Sequence, residues 1–236
     1  MKNQIEFSVY GRRALFTDPV TKVGGEKFSY PVPTYEALKG ICESIYWKPT
    51  IIWYVDSVRI MKRIRNESVS IKNLNYGGGN DLSIYSYLSG VDYHVRAHFE
   101  WNMNREDLAK DRNENKHYFQ AVRALERGGR RDIFLGTRKC QAYVVPCSFE
   151  DGKGDYDQTG SVTFGLMFHG FDYADETGTN GLDVRFWTPM MTDGIIDYIR
   201  PEMCQIRKHI YSYHRATSLL TWRLKNELDG GARQNL

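Results

Sequence analysis

From Gln4 to Val9 the chain alternates Ile5, Phe7 and Val9 with Gln4, Glu6 and Ser8, the period of a half-buried β-strand. Residues 11–33 lose that rhythm and carry turn signals at Thr17-Asp18-Pro19 and Gly24-Gly25. A connection this long is expected to be functional or to pack on another subunit. Thr34 then caps a helix running to about Trp47, with Tyr35, Leu38, Ile41, Cys42 and Ile45 at spacings of three and four. Pro49 ends it. Thr50 to Val58, rich in Ile, Trp, Tyr and Val, reads as a strand that bends and continues toward Ile64.

Tyr76-Gly77-Gly78-Gly79-Asn80 is a glycine-rich turn, followed by a short Tyr-bearing segment from Ser83 to Leu88. Tyr93, Val95, Ala97, Phe99 and Trp101 alternate with His94, Arg96, His98 and Glu100, the clearest strand pattern in the chain. Arg105 to about Arg127 reads as a second helix with Tyr118, Val122 and Leu125 on one face, stopped by Gly128-Gly129. Arg138 to Pro146 gives another strand. The order β-α-β-β-α-β is the plan of an α+β, ferredoxin-like (RRM-type) domain. From Cys147 to Trp187 strand patterns alternate with Gly, Asp and Asn turns, predicting a small antiparallel β C-terminal subdomain. The expected division is a domain over residues 1–146, a subdomain and C-terminal segment over 147–229 with helix in Ser218–Glu227, and a disordered tail over 230–236.

Hydrophobic residues make up 41% and charged residues 26%, enough for a core and against disorder. Aromatics reach 14%, with 16 tyrosines, which suits either a β-rich fold or base stacking in a nucleic-acid groove. The net charge of +3 is too small for a protein that coats DNA. Basic residues nevertheless cluster at Arg12-Arg13, at Lys62, Arg63 and Arg65, and at Arg127, Arg130 and Arg131, as solvated faces or as phosphate contacts. Cys42, Cys140, Cys147 and Cys204 lack zinc-site spacing, and Cys42 falls in an apolar helical pattern. With no secretory leader pattern and no apolar run near the roughly 18 residues a membrane span needs, a cytoplasmic protein is expected.

Three groups carry candidate chemistry. Gly128-Gly129-Arg130-Arg131 joins a helix to a strand, where glycine amides and guanidinium groups can cradle a phosphate or merely cap the helix. Lys116-His117 offers a proton-transfer group beside a cation, although such a pair is commonly surface decoration. Tyr46, at the end of the first helix, could converge on that pair if both helices pack on one sheet face; its phenol, with an ordinary pKa of about 10, would serve as a base only if a cation lowered it. His94 and His98, about 13 Å apart on a strand at roughly 3.3 Å per residue, do not make a metal clip. No carboxylate pairing marks a two-metal nuclease, and scattered acids such as Asp81, Glu100 and Asp107 support that reading poorly.

The strings Ala14-Leu15-Phe16-Thr17-Asp18-Pro19, Glu43-Ser44-Ile45-Tyr46-Trp47-Lys48-Pro49-Thr50, Tyr76-Gly77-Gly78-Gly79-Asn80, Asp111-Arg112-Asn113-Glu114, Lys116-His117-Tyr118 and Gly128 to Gly136 are more specific. On them the chain resembles the Cas-five family of CRISPR-associated RNA-binding proteins, in its subtype I-C (Dvulg) form that processes precursor CRISPR RNA. The resemblance runs to about Trp187. It implies a metal-independent endoribonuclease without cofactor, cutting at the repeat hairpin by 2′-hydroxyl attack to leave a 2′,3′-cyclic phosphate and a 5′-hydroxyl. It implies Tyr46, Lys116 and His117 as catalytic residues: His117 donating to the leaving 5′-oxygen, Tyr46 orienting or deprotonating the 2′-hydroxyl, or these two exchanged, and Lys116 stabilising phosphate charge and lowering the Tyr46 pKa. Gly128, Gly129, Arg130 and Arg131, with Lys62, Arg63 and Arg65, are the expected RNA-binding residues. The partners implied are the precursor CRISPR RNA repeat hairpin and the backbone and large subunits of a type I-C interference complex. The alternative is a non-catalytic subunit that holds the 5′ handle of the RNA.

Overall fold

A computed structural model describes residues 3–22, 26–74 and 76–212 of the chain. The Gly24-Gly25 turn, the helix expected over Ser218–Glu227 and the tail over 230–236 lie outside the described residues. In chain order the elements are β1 (Gln4–Ala14), the single turn α1 (Pro19–Lys22), β2 (Lys27–Phe28), α2 (Tyr35–Ile45), β3 (Ile51–Ile60), β4 (Asn66–Leu74) and β5 (Asn80–Trp101). A 3-10 turn (Glu106–Asp111) leads to α3 (Glu114–Glu126), β6 (Ile133–Phe134) and β7 (Gln141–Pro146). Then come β8 (Ser161–Thr163), β9 (Met167–Asp172), α4 (Ala174–Thr177), β10 (Gly181–Trp187), β11 (Met190–Thr192), β12 (Ile195–Asp197) and β13 (Ile206–Ser212).

The protein is α+β, with a mostly antiparallel sheet and few helices. The main sheet runs β6-β7-β1-β5-β3-β12-β11-β8, and a second sheet runs β13-β10-β9. The segment after residue 146 therefore contributes to both sheets. β5 is the spine: its C-terminal part pairs with β1 on one side and β3 on the other, and Tyr93, Val95, Ala97 and Phe99 are buried. The alternation that predicts the strand is thus the alternation of its two faces. α2 covers β3 with Leu38, Ile41, Cys42 and Ile45, while α3 packs on β1 and β7. Thr34 caps α2 as expected, its side chain accepting from the Ala37 amide at 3.2 Å.

Two elements depart from the sequence reading. β5 extends back to Asn80 and pairs with β4 through Leu74↔Asn80, forming an arm whose turn is the glycine-rich Tyr76–Gly79 segment. The segment expected to be one helix from Arg105 to Arg127 is two pieces. Arg112 leaves helical geometry, and the Asn113 side chain accepts from the Lys116 amide at 3.0 Å, starting a new helix there.

Candidate active site

Tyr46 is the first residue past α2. Its backbone is extended (φ −155°, ψ 124°), so its side chain leaves the apolar stripe of the helix. The residue is clamped at both backbone groups: its amide donates to the Cys42 carbonyl at 2.9 Å and its carbonyl accepts from Trp53 Nε1 at 2.7 Å. α3 approaches from the other side with a buried face of His117, Ala121, Ala124 and Leu125, whose two alanines allow close packing. His117 lies one turn into that helix, fully buried, edge-on to Trp101 with ring centroids 5.5 Å apart.

The Tyr46 hydroxyl lies 2.8 Å from His117 Nδ1 and 2.9 Å from Gln120 Oε1. On its far side His117 Nε2 lies 2.8 Å from the Asp111 carbonyl and 3.4 Å from Asp111 Oδ2. A carbonyl only accepts, so Nε2 carries a proton. In neutral imidazole Nδ1 is then the acceptor, and the phenol donates to it. When both ring nitrogens are protonated, Nδ1 donates to the phenol oxygen and the phenol donates to Gln120. A proton therefore has a defined path between Tyr46 and His117. Lys116, its neighbour in sequence, points elsewhere: it is half exposed, and its ammonium pairs with the Asp111 carboxylate. That ion pair first, and the Thr50 hydroxyl second, hold the Asp111 carboxyl below the usual carboxylate range.

Above this pair opens a cleft of about 540 Å³ lined by Tyr46, Lys48, Gln120, Arg123, Arg127 and Arg130, among others. The Tyr46 phenol is pushed up to about 12, mainly by burial and then by the Asp111 carboxylate. The cation that opposes the rise is Arg130, whose guanidinium lies 5.8 Å from the Tyr46 ring centroid. Lys116 is neutralised by Asp111, so the expectation that it lowers the Tyr46 pKa gives way to this arrangement. The phenol is protonated at neutral pH.

The glycine-rich loop serves chiefly as a strap. The Gly128 and Gly129 amides donate to Leu125 and Ala124 carbonyls, and those of Arg130 and Arg131 donate to the Ser44 carbonyl at the end of α2, each at 3.1 Å. These amides are consumed by helix ends, so a phosphate here would meet guanidinium groups instead of a backbone cradle. Lys62, Arg63 and Arg65 lie past the far end of β3, about 30 Å away at 3.3 Å per residue. There they line a separate cleft of about 460 Å³ with Lys153, Asp92 and Asp155. The structure thus joins Tyr46 and His117 directly, links Lys116 to them through Asp111, sets Arg130 on the rim, and separates Lys62, Arg63 and Arg65.

The residue-level reading missed Asp111, Gln120, Lys48 and Arg123. Arg123 and Arg127 share a helix face at i, i+4, and His117 and Gln120 at i, i+3, so that part was available in the spacing. Nothing in the pattern marks Asp111, which acts from a 3-10 turn.

A fully buried imidazole and an almost fully buried phenol are thus hydrogen-bonded to each other beneath a cleft rimmed by cations. The family described as CRISPR-associated protein (Cas_Cas5), in its Cas5d form, matches residues 4–199, and the chain belongs to this family. A protein of Mannheimia succiniciproducens named CRISPR pre-crRNA endoribonuclease Cas5d is 45% identical over 69 residues, 29% of this chain and 30% of that protein. The chain thus matches less than a third of that relative's length. A protein of the same name from Thermus thermophilus is 29% identical over 177 residues, 70% of this chain and 74% of that one. A crystal structure of a CRISPR-associated protein has a TM-score of 0.73 at 35% identity, covering 87% of this chain and 96% of that chain. Among the described residues no helix is long and apolar enough to cross a membrane.

Proposed function

We propose that the chain is an endoribonuclease that cleaves precursor CRISPR RNA at the repeat hairpin without a metal and stays bound as a subunit of a type I-C interference complex. The observation that carries this reading is the 2.8 Å contact between Tyr46 and His117 at the floor of a cleft rimmed by Lys48, Arg123, Arg127 and Arg130. The names of the two curated relatives support the substrate class. The central strand order β7-β1-β5-β3, antiparallel throughout and joined by α2 and α3, supports a ferredoxin-like, RRM-type domain.

The chemistry follows from the proton path. A ribose 2′-hydroxyl seated against Tyr46 gives its proton to the phenol oxygen as the phenol gives its own to His117 Nδ1. No phenolate forms, so a phenol pKa of about 12 is no obstacle. The 2′-oxygen bonds to phosphorus, the P–O5′ bond breaks, solvent protonates the 5′-oxygen, and the proton held on His117 goes back through the phenol to the hydroxide this leaves, so that both residues regain their starting state. The imidazolium left on His117 is faced by the Asp111 carboxylate at 3.4 Å. Arg130 and Lys48, which line the cleft, take up charge on the phosphoryl oxygens, and Lys116 holds the Asp111 carboxylate that faces His117. This relay keeps Tyr46 on the 2′-hydroxyl, as in the first of the two assignments the sequence left open, but makes His117 the base behind it instead of the acid.

The test is cleavage of repeat RNA in EDTA beside the same RNA with a 2′-deoxy residue at the scissile position. The expected result is cutting of the first and not of the second. Cutting that EDTA abolishes would overturn the mechanism. Tight binding without cutting in any buffer would favour the second reading, a subunit that only holds the RNA 5′ handle; the near-complete burial of Tyr46 and His117 is the observation on its side.

A further inference from the structure

The face of the main sheet turned away from the helices carries a feature that the proton-transfer site does not use. Tyr10 on β1 and Tyr143 on β7 are direct cross-strand partners. Their neighbours Val9, Ala142 and Val144 are buried on the opposite face, whereas these two rings are 39% and 57% exposed. The rings lie 5.9 Å apart at 35°. A cross-strand aromatic pair steadies a sheet by at most about 1 kcal/mol, and here it still leaves two ring surfaces side by side in solvent, open to a flat ligand.

Their surroundings identify the occupant. Tyr143 lines a depression of about 580 Å³ together with Arg127, Arg130, Arg131 and Gln141. That depression and the cleft over Tyr46 share Arg127, Gly129 and Arg130, so the two are continuous. The three guanidinium groups are exposed, and the one acid lining the depression is Asp132. Aromatic rings next to uncompensated arginines match a polyanion bearing flat apolar groups, which is a nucleic-acid strand. A base must be unstacked to reach a ring, so the strand is single there.

We propose that Tyr10 and Tyr143 form a base-stacking platform for the single-stranded RNA that flanks the nucleotide held over Tyr46, with Arg127, Arg130 and Arg131 tracking its backbone between the two points. This rests on the RNA-processing reading above. The platform adds affinity and sets the register of the strand in the cleft, while the proton path stays with Tyr46 and His117.

The experiment measures RNA affinity of the full chain by fluorescence anisotropy, with repeat-derived RNA intact or carrying one abasic nucleotide scanned along the flank. Tyr143→Leu keeps an apolar side chain and removes the ring; Tyr143→Phe keeps the ring. The expected result is a loss of roughly 5- to 150-fold for Tyr143→Leu, the range of one base–aromatic stack, with Tyr143→Phe close to the unaltered protein. One abasic position should cost the unaltered protein a similar factor and cost Tyr143→Leu nothing further. Equal affinity of the Leu variant, or a loss that no abasic position reproduces, would overturn the platform while leaving the nuclease reading intact. If the unaltered protein bound no RNA, that reading would fail and the platform with it. Binding of the Leu variant lost to duplex and single strand alike would mark a general surface effect and also overturn it.

Discussion

The backbone amide of Arg130 sits 3.1 Å from the Ser44 carbonyl, and this bond ties the glycine-rich loop to the end of the helix that delivers Tyr46. The loop fixes the position of the cleft by consuming the free carbonyls of α2, and it leaves the Arg130 and Arg131 side chains outward. The same strap that ends α3 therefore sets the distance between phenol and imidazole.

Charge on the rim should act through the polyanion. Arg123→Ala and Arg130→Ala should each weaken RNA binding and lower the slope of log affinity against log salt by about 0.7, the contribution of one phosphate contact on a single strand. Arg65→Ala, about 30 Å distant by strand length, should leave binding of a short RNA confined to the Tyr46 cleft unchanged. Titrations at several salt concentrations check this. A salt-insensitive loss for Arg130→Ala would remove its phosphate contact.

Gly136 occupies a crossing that no side chain fits. Its φ is +90°, and a Cβ there would lie 2.0 Å from the Leu15 carbonyl oxygen, which is backbone and cannot yield. Gly136→Ala should cost about 3 kcal/mol or more, whereas Gly90→Ala, at φ +61° with open space around it, should cost about 1–2 kcal/mol. Denaturant midpoints of the two variants measure the difference.

Glu43 lies on α2 near Lys39, Glu36 and Glu176, and burial pushes its carboxyl up to about 7. A carboxyl raised on folding holds its proton longer in the native state, so its contribution is best below the ordinary carboxylate range and is lost as pH rises through about 7. Glu43→Gln should therefore raise Tm at pH 8 by about 2–4 °C, roughly 1 kcal/mol once the partial exposure of the side chain is discounted, and leave it unchanged near pH 4, below the ordinary carboxylate value. Equal shifts at both pH values would show that Glu43 does not titrate in this window.

The chain made some of this legible and hid the rest for physical reasons. α2 and the inner part of β5 were readable because each buries one continuous face, so Leu38–Ile45 and Tyr93–Phe99 carry a clean period. β4 was missed because it lies in an arm open to solvent, where Asn66–Leu74 pairs residues without burying any. The break at Arg112-Asn113 depends on one side-chain cap, too local to disturb a helical composition. Tyr46 and the Lys116-His117 pair were visible as residues, but their relation was not. Adjacent helical positions point apart, so His117 goes inward to Tyr46 and Lys116 outward to Asp111. The inward face of α3 is marked mainly by Ala121 and Ala124, whose small side chains contribute little to an apolar stripe.

The central claim is that Tyr46 and His117 pass a proton, and single-turnover cleavage measured beside RNA affinity tests it. Tyr46→Phe keeps the ring and its packing while removing the oxygen 2.8 Å from His117, and His117→Ala removes the acceptor. Both should lower the cleavage rate by roughly 10²–10⁴-fold with affinity nearly unchanged. A Tyr46→Phe enzyme that cuts at the unaltered rate, or one that loses affinity in proportion to rate, would contradict the relay.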